Sequence, residues 1–520
     1  MGKSKSSSKS SSKSASKLAK AAKQEEKASK SELKAIKGKG KDENLEDILA
    51  QFQAEWKTKH AVKEEVQLAA PSRRLNATFT AYGDHLWLIG GEYFDGDKAY
   101  LYNDTFRYNP DKNEWRLYTS PNAPAPRSAH AAVAIPKDGG QIWIFGGEYA
   151  NPSQTNFYHY RDLWMFSLKD YTWQKIETKK GPTARSGHRM TFWKQYIVLY
   201  GGFHDTGVKT SYLSDLWIFD TETYKWKEVE LKATDRVPGA RSGFSMIPAA
   251  EGVVIHECPS GGYRKEYLKG SKSVGMALED TWLLHMDLDL AKLKWEKRKK
   301  GGLAPSLRSG TSMTHWSAKG LGVLFGGVLD QESDEDLSSV FYNDLYTYNP
   351  STSKWSLLTI NAKKKKAGGS KKRRAKQPAA ADPDAMAVDE DVDMETVPEA
   401  EEEDESEDDQ DQKMTVDAKA EDGASADAPL LPLTRSNAMI AVLKNTLYIY
   451  GGSYETEKRE YTLDDFFALN LEKRDGYKVL RETVLDAEVW HGSDDEDQMD
   501  EDDDGDDDED DEEDSSEDDE

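Results

Sequence analysis

Cysteine is almost missing from this chain. Cys258 is the single thiol, so no disulfide forms within one molecule, and neither a Cys-x-x-Cys pair nor a His-Glu-x-x-His run offers the ligand spacing of a zinc site. Long apolar runs are missing too: none approaches the roughly 18 residues that a membrane-spanning helix needs, and the N-terminus lacks the apolar core of a secretory signal. There is no phosphate-binding Gly-rich loop and no Gly-x-Ser-x-Gly elbow, which removes the commonest nucleotide and acyl-transfer chemistries. The expectation is a protein of a reducing compartment, cytoplasmic, nuclear or both, with no integral membrane association.

What is abundant is charge, and it is badly distributed. Of the net −26, residues 1–41 carry +10, residues 362–428 carry −10 and residues 494–520 carry −22, so the rest of the chain is close to neutral. The electrostatics therefore belong to appendages rather than to a folded core. Residues 1–42 read as a disordered Lys/Ser-rich arm, 362–433 as a disordered basic and acidic insertion, and 486–520 as a disordered acidic tail whose like charges oppose compaction. Between arm and core, Leu45, Ile48, Leu49, Phe52 and Trp56 recur at spacings of three and four, which predicts an amphipathic helix over 43–67.

The core, 68–361 and 434–485, repeats itself. A short apolar run ends in a Gly pair at Gly90-Gly91, Gly146-Gly147, Gly201-Gly202, Gly261-Gly262, Gly326-Gly327 and Gly451-Gly452. Each pair reads as a buried strand closed by a sharp turn that needs positive φ. An Asp then opens a strand of alternating aromatic and apolar residues, at Asp104, Asp162, Asp215, Asp280, Asp344 and Asp465. A Trp opens a fourth strand at Trp115, Trp173, Trp226, Trp295 and Trp355, with Tyr477 near that place in the sixth unit. Most units are preceded by an Arg-Ser pair, from Arg127-Ser128 to Arg435-Ser436, whose arginines are expected to brace neighbouring units. The unit is four strands, and closing such units into a ring is what hides their inner edges. Unit four departs from the pattern, because Glu257-Cys258-Pro259-Ser260 separates its strand from Gly261.

An apolar strand ending in Gly-Gly, followed by a spaced aromatic and a Trp, resembles the kelch repeat. The strings GGEYF from Gly90, FYHYRDLW, RSGHRM, GGFHD, RSGF and TRSNAMIAV are similar to those of one eukaryotic family, kelch domain-containing protein four and its fungal relatives. That family also has a basic N-terminus, a short helix, an insertion before the last blade and an acidic C-terminus. The resemblance implies an all-β fold: a six-bladed kelch β-propeller with a short N-terminal helix and disordered charged tails.

Counting strands around such a ring puts the loops after each Gly pair and the connections between blades on one face, and tight turns on the other. The long-loop face is the expected partner-binding platform, with Glu92, Tyr93, Phe94, Glu148, Tyr149, Phe203, His204, Tyr263, Arg264 and Tyr454 as its contacts. The same count brings both tails and the insertion to that face. The Gly pairs and the Trp set are expected to be structural.

A kelch propeller also houses a copper oxidase, and His188 and His204 fall in one blade, but that chemistry needs a Cys–Tyr crosslink and further ligands that this sequence does not place. The chain is expected to be no enzyme and to need no cofactor or metal. Its expected role is that of a monomeric scaffold for other proteins. The alternative is a chaperone or assembly factor that captures basic nuclear or ribosomal proteins through acidic segments. The N-terminal arm would suit nucleic acid or ribosome contact. Lys363–Lys366 and Lys371–Arg374 with Lys376 resemble a two-part nuclear localisation signal.

Overall fold

Alternating apolar residues with frequent Val, Ile, Trp and Tyr make half-buried strands, and each four-strand unit cannot hide both its edges alone. The computed structural model resolves this by arranging six units around an axis. It describes residues 61–361 and 430–485, except 207–208, 231–235, 257–262, 268–272, 278–279, 333–336 and 457–458, together with Ala54, Thr58, Trp490 and His491.

Each blade is built on four antiparallel strands taken consecutively from the chain, with Gly301–Gly302 added in parallel to the outer strand Lys354–Leu357 of blade 5. Blade 1, for example, runs outward through Thr78–Tyr82, His85–Ile89, Thr105–Asn109 and Glu114–Thr119. The inner strands of blades 2 to 6 are Ala131–Ile135, Arg189–Trp193, Ser245–Ala249, Ser312–Trp316 and Met439–Leu443. Neighbouring inner strands lie side by side, and Met439–Leu443 returns to Thr78–Tyr82, which closes the ring. The fold is therefore a six-bladed β-propeller.

Because the sheets are twisted and stand on edge, the buried side chains collect between blades. Among the described residues they form six wedge-shaped clusters, one per blade junction. The repeated Trp residues sit in these wedges: Trp115, Trp173, Trp226, Trp295 and Trp355 are all buried, and Tyr477 takes the same role in blade 6 against Phe467.

The segment 43–67 corrects one expectation. Ala54 and Thr58 are helical, and Thr58 Oγ1 donates to Ala54 O at 2.9 Å. Lys63–Gln67, however, is a strand paired antiparallel to Glu114–Thr119, a fifth strand on the rim of blade 1. The rim offers unpaired backbone groups, and Glu64 is drawn there by Arg107, Arg116 and Tyr118. The rest of the expected helix, both tails and the 362–429 stretch lie outside the described residues, as does the 257–260 departure in blade 4.

Candidate functional site

The face carrying the Gly pairs is fixed by a clamp repeated six times. Arg74, Arg127, Arg185, Arg241, Arg308 and Arg435 are each at most 1% exposed, and each pairs with the Asp that opens the third strand of its own blade: Asp104, Asp162, Asp215, Asp280, Asp344 and Asp465. Five of them also donate to the carbonyl of the first Gly of the pair, Arg127 to Gly146 at 3.0 Å for instance. Trp164, Trp217 and Trp282 donate their indole N–H to the same carboxylates at 2.7 Å. Burial alone would raise the pKa of Asp162 and Asp215; the arginine and the indole N–H overcome it and hold both below the usual range.

These arginines were expected to brace neighbouring blades. Their side chains stay within the blade, and it is the backbone that reaches across. In four of the blades the second Gly of the pair donates to the carbonyl of the next blade's arginine, Gly91 to Arg127, Gly147 to Arg185, Gly202 to Arg241 and Gly327 to Arg435, at 2.8–2.9 Å. The Gly requirement follows. Gly147 has φ +89°, and a Cβ there would lie 2.6 Å from Ser128 O and 2.7 Å from the His130 Cβ.

After each Gly pair the chain rises as a two-stranded hairpin rather than an irregular loop, so the face is a crown. In blades 1 to 3 the hairpins are Glu92–Phe94 with Ala99–Leu101, Glu148–Ala150 with Phe157–His159, and Phe203–Asp205 with Thr210–Tyr212. Blade 4 carries Tyr263–Tyr267 with Ser273–Ala277, which places the Tyr263 and Arg264 backbones on the crown; their side chains lie outside the description. In blades 5 and 6 the blade strands themselves continue upward through a bulge at the first Gly of the pair. Adjacent hairpins are tied together: Ala99 N–H donates to Pro152 O at 2.9 Å, and the Phe341 and Tyr454 rings meet at 6.3 Å.

Blades 1 to 3 bring several of the sequence candidates together. Glu92 accepts from Asn76 at 2.7 Å and from Ser128 of the next blade at 3.0 Å. Asp205 N–H donates to His159 Nε2 at 3.0 Å, so the neutral ring carries its proton on Nδ1 and donates to Ser186 Oγ at 2.8 Å. Burial and the neighbouring His204 lower His159 to about 4, so it is neutral at physiological pH. Burial, then the charge of Glu92, push Glu148 up to about 7, against a lowering hydrogen bond from Ser186. His204 rests on His159 at 4.9 Å, while His188 is buried against Phe145, so the two histidines noted in one blade have separate surroundings. Tyr93 stacks on Tyr100 at 6.3 Å, Phe203 meets His159 edge-on, and Tyr149 is half-buried.

Inside the crown the axis opens into a funnel of about 520 Å³. Its mouth is a collar of six residues, each two positions after a clamp arginine and each at left-handed φ: Asn76, Ala129, Gly187, Gly243, Gly310 and Asn437. Backbone hydrogen bonds run round it from Ala129 to Asn76, Gly187 to Ala129, Gly243 to Gly187 and Asn437 to Gly310, at 2.7–3.0 Å.

Sequence reasoning missed two parts of this site. Phe157 and Tyr158 are 53% and 59% exposed on the blade 2 hairpin, beside Phe94 and Tyr100 of blade 1 at 39% and 44%. Trp490 lies over the junction of blades 6 and 1, edge-on to Phe94 at 6.0 Å and 5.9 Å from the Arg459 guanidinium, while His491 N–H donates to Asp95 O at 2.8 Å. The acidic tail thus starts on the crown. The basic arm enters at Lys63, opposite Thr119, at the crown end of blade 1's rim. The insertion touches both faces: Asn361 is bonded to Lys473 and Arg474, in the turn at the far end of blade 6, whereas Pro432, at its other end, accepts from Asn343 Nδ2 at 2.8 Å beside the crown. Among the described residues, no three His, Cys, Asp or Glu side chains are grouped so as to hold a metal ion, and no helix is long and apolar enough to cross a membrane.

Comparison with known proteins agrees with this architecture. Residues 76–287 match the KLHDC2/KLHL20/DRC7 Kelch-repeats domain. The dynein alpha chain of the flagellar outer arm of Chlamydomonas reinhardtii is 26% identical over 44% of this chain and 5% of its own length. An F-box/kelch-repeat protein of Arabidopsis thaliana is 29% identical over 32% of this chain and 35% of its own. The N-(sulfonatooxy)prop-2-enimidothioate sulfolyase of Thlaspi arvense is 22% identical over 51% of this chain and 76% of its own. The chain spans only a small part of the first of these relatives and about a third of the second.

Proposed function

We propose that this kelch-repeat propeller is a non-catalytic scaffold that docks a protein partner on its crown. Propellers of this kind generally serve protein interaction. The observation that carries the reading for this chain is the group of exposed aromatic side chains Phe94, Tyr100, Phe157 and Tyr158 on adjacent hairpins, with the carboxylates of Glu92, Glu148 and Asp205 on the same three-blade stretch of hairpins. Aromatic anchors within a polar rim are the composition of an interface centre. The carboxylates favour a partner with lysine or arginine at its contact surface. The strings that resemble kelch domain-containing protein four, and the shared arrangement of arm, insertion and tail, support placement in that group.

Phe157→Ser with Tyr158→Ser tests the reading, because both side chains are exposed and their loss leaves the blade wedges intact. The expected result is a tenfold or greater loss of partner retention in affinity purification from cells, with thermal stability unchanged. Retention of the same partners by the double variant would refute crown docking.

A second reading has its own support. Trp490 and His491 root the acidic tail on the crown, where it would help capture a basic client. Removing 494–520 should then abolish capture in a salt-sensitive way while a crown-bound partner set persists. Cytoplasmic or nuclear residence, a monomeric state and nucleic acid contact by the arm belong to this proposal as expectations.

A further inference from the structure

On the face opposite the crown, the turn between the third and fourth strands of a blade carries a residue at left-handed φ two positions before the fourth-strand Trp. It is Asn113 in blade 1, Tyr171 in blade 2, Tyr224 in blade 3 and Ser353 in blade 5. In blades 2 and 3 the tyrosine ring plugs the far end of the wedge shared with the preceding blade. Tyr171 packs on Trp87 at 6.0 Å, on Tyr118 at 4.5 Å and on Phe166 at 6.5 Å, and its hydroxyl accepts from Arg107 Nη1 at 2.6 Å. Tyr224 takes the same place between blades 2 and 3, on Trp143 at 5.8 Å and Phe219 at 6.1 Å. Blade 1 has Asn113 there instead, and its side-chain carbonyl accepts from Tyr108 Oη at 2.7 Å.

The wedge between blades 6 and 1 is left with a hollow of about 230 Å³. Its walls repeat, position for position, the groups that hold Tyr171. Tyr448 stands three residues before its Gly pair, as Trp87 does, and Leu480 three after Tyr477, as Tyr118 is three after Trp115. Tyr108 stands four after its strand-opening Asp, as Phe166 does. The remaining group differs: Ala468 replaces Arg107, which deepens the hollow and removes the donor that meets the hydroxyl of Tyr171. Other polar groups stand ready. Tyr448 is 7% exposed, yet its hydroxyl has no hydrogen-bond partner among the described residues. Asp475 and Lys478 at the mouth are exposed and form no ion pair among the described residues. A hydroxyl left unmatched in a nearly buried side chain marks a place where a ligand's polar atom belongs.

We propose that this hollow is a binding site for one phenol ring, supplied by a tyrosine on a turn of a partner protein that approaches the face opposite the crown. The chemistry of the occupant is read from the two neighbouring wedges, where a tyrosine carried on a tight turn fills the equivalent space. Tyr448 and Tyr108 flank the incoming ring as Trp87 and Phe166 flank that of Tyr171. A phenol hydroxyl, at once donor and acceptor, suits Tyr448, Asp475 and Lys478 together, whereas a phenylalanine ring leaves them unmatched. The site is independent of crown docking, so the propeller can hold two proteins at once, one on each face.

The hollow supplies its own reporters, since the methyl groups of Ala468 and Leu480 line it. The experiment titrates the full chain, with methyl-labelled alanine and leucine, against N-acetyl-tyrosinamide and follows it by NMR. The expected result is a saturable ring-current shift of both signals, half-complete below about 10 mM, with Ala132 in the already plugged wedge of blades 1 and 2 unmoved. N-Acetyl-phenylalaninamide should bind roughly threefold or more weakly, and N-acetyl-leucinamide should give no saturable shift. Asn113→Tyr supplies the ring from within: Ala468 should move without ligand, and added tyrosinamide should shift it no further. Ala468→Leu fills the hollow from its floor and should abolish the Leu480 shift, which keeps the test open if Asn113→Tyr does not fold. No saturable shift in the parent chain would overturn the proposal, as would equal binding of the leucine derivative or a shift of Leu480 that persists in both variants. Binding of p-cresol about tenfold tighter than that of the tyrosine derivative would overturn the assignment to a partner's tyrosine in favour of a free phenol.

Discussion

Arg127 grips Asp162 at two points, Nη1 to Oδ1 at 2.7 Å and Nη2 to Oδ2 at 3.1 Å, while its carbonyl receives Gly91 of the preceding blade. One residue thus sets the geometry inside its blade through its side chain and the spacing between blades through its backbone. Asp162→Ala removes the counter-charge from a guanidinium that stays buried, and a cost of about 3–5 kcal/mol follows. Asp162→Asn, which keeps an acceptor, should cost less. Chemical denaturation followed by Trp fluorescence measures both. The acid limb has a defined sign. Asp162, Asp215 and Asp280 have folded pKa values below their ordinary ones, so their contribution is complete above about pH 4 and disappears as pH falls through the depressed values.

Glu148 runs the opposite way. Its folded pKa of about 7 lies above the ordinary 4.5, so between these values the folded state holds a proton that the unfolded chain has released. Stability should therefore fall as pH rises from about 4.5 to 7, by on the order of 3 kcal/mol, and level off beyond. Glu148→Gln should remove that slope and be more stable than the parent at pH 8. Urea midpoints taken across this range decide it; an unchanged slope in the variant would falsify the assignment to Glu148.

The collar at the funnel mouth makes a steric prediction. Gly187 has φ +64°, and an added Cβ would meet Phe203 Cε1 and Ser242 Cβ, each at 3.2 Å. Gly187→Ala should cost about 1–2 kcal/mol, read as a lower unfolding midpoint. Ala129 already holds the same conformation at φ +51°, so Ala129→Gly should be tolerated.

Trp490 supplies a fourth test. Trp490→Ala removes its contacts with Phe94 and Arg459 and frees the strand-like contact of His491 with Asp95. Amide hydrogen exchange in the 92–101 hairpin should speed up severalfold, while the inner strand Thr78–Tyr82 keeps its protection. Equal acceleration of both would mean that the tryptophan holds the ring rather than the crown.

Much of the architecture is legible in the sequence because it is written six times. Gly pairs, third-strand Asp residues and Trp residues are each bound to one geometric duty, and repetition separates them from chance. The partner of each arginine is not legible in that way: Arg127 and Asp162 lie 35 positions apart, and only the folded blade brings them together. The crown aromatics Phe157 and Tyr158 sit in an unrepeated stretch, where an exposed ring looks like a buried one. Lys63–Gln67 looks like the end of a helix because the preceding residues are periodic, whereas its conformation is dictated by the open rim of blade 1. Trp490, a lone aromatic beside an acidic run, gave no periodic signal at all.

Since every blade is a single continuous run of chain, no strand among the described residues is shared between blade 1 and blade 6. The two chain ends therefore bear load differently. Traction on the basic arm would peel Lys63–Gln67 from the rim one backbone pair after another and leave a complete four-stranded blade behind. Traction on the tail would be resisted at one point, where an indole is wedged between two hairpins. The first behaves as a zip and the second as a peg, and a molecule tugged at its C-terminus would give way abruptly, exposing its crown while the ring beneath stays shut.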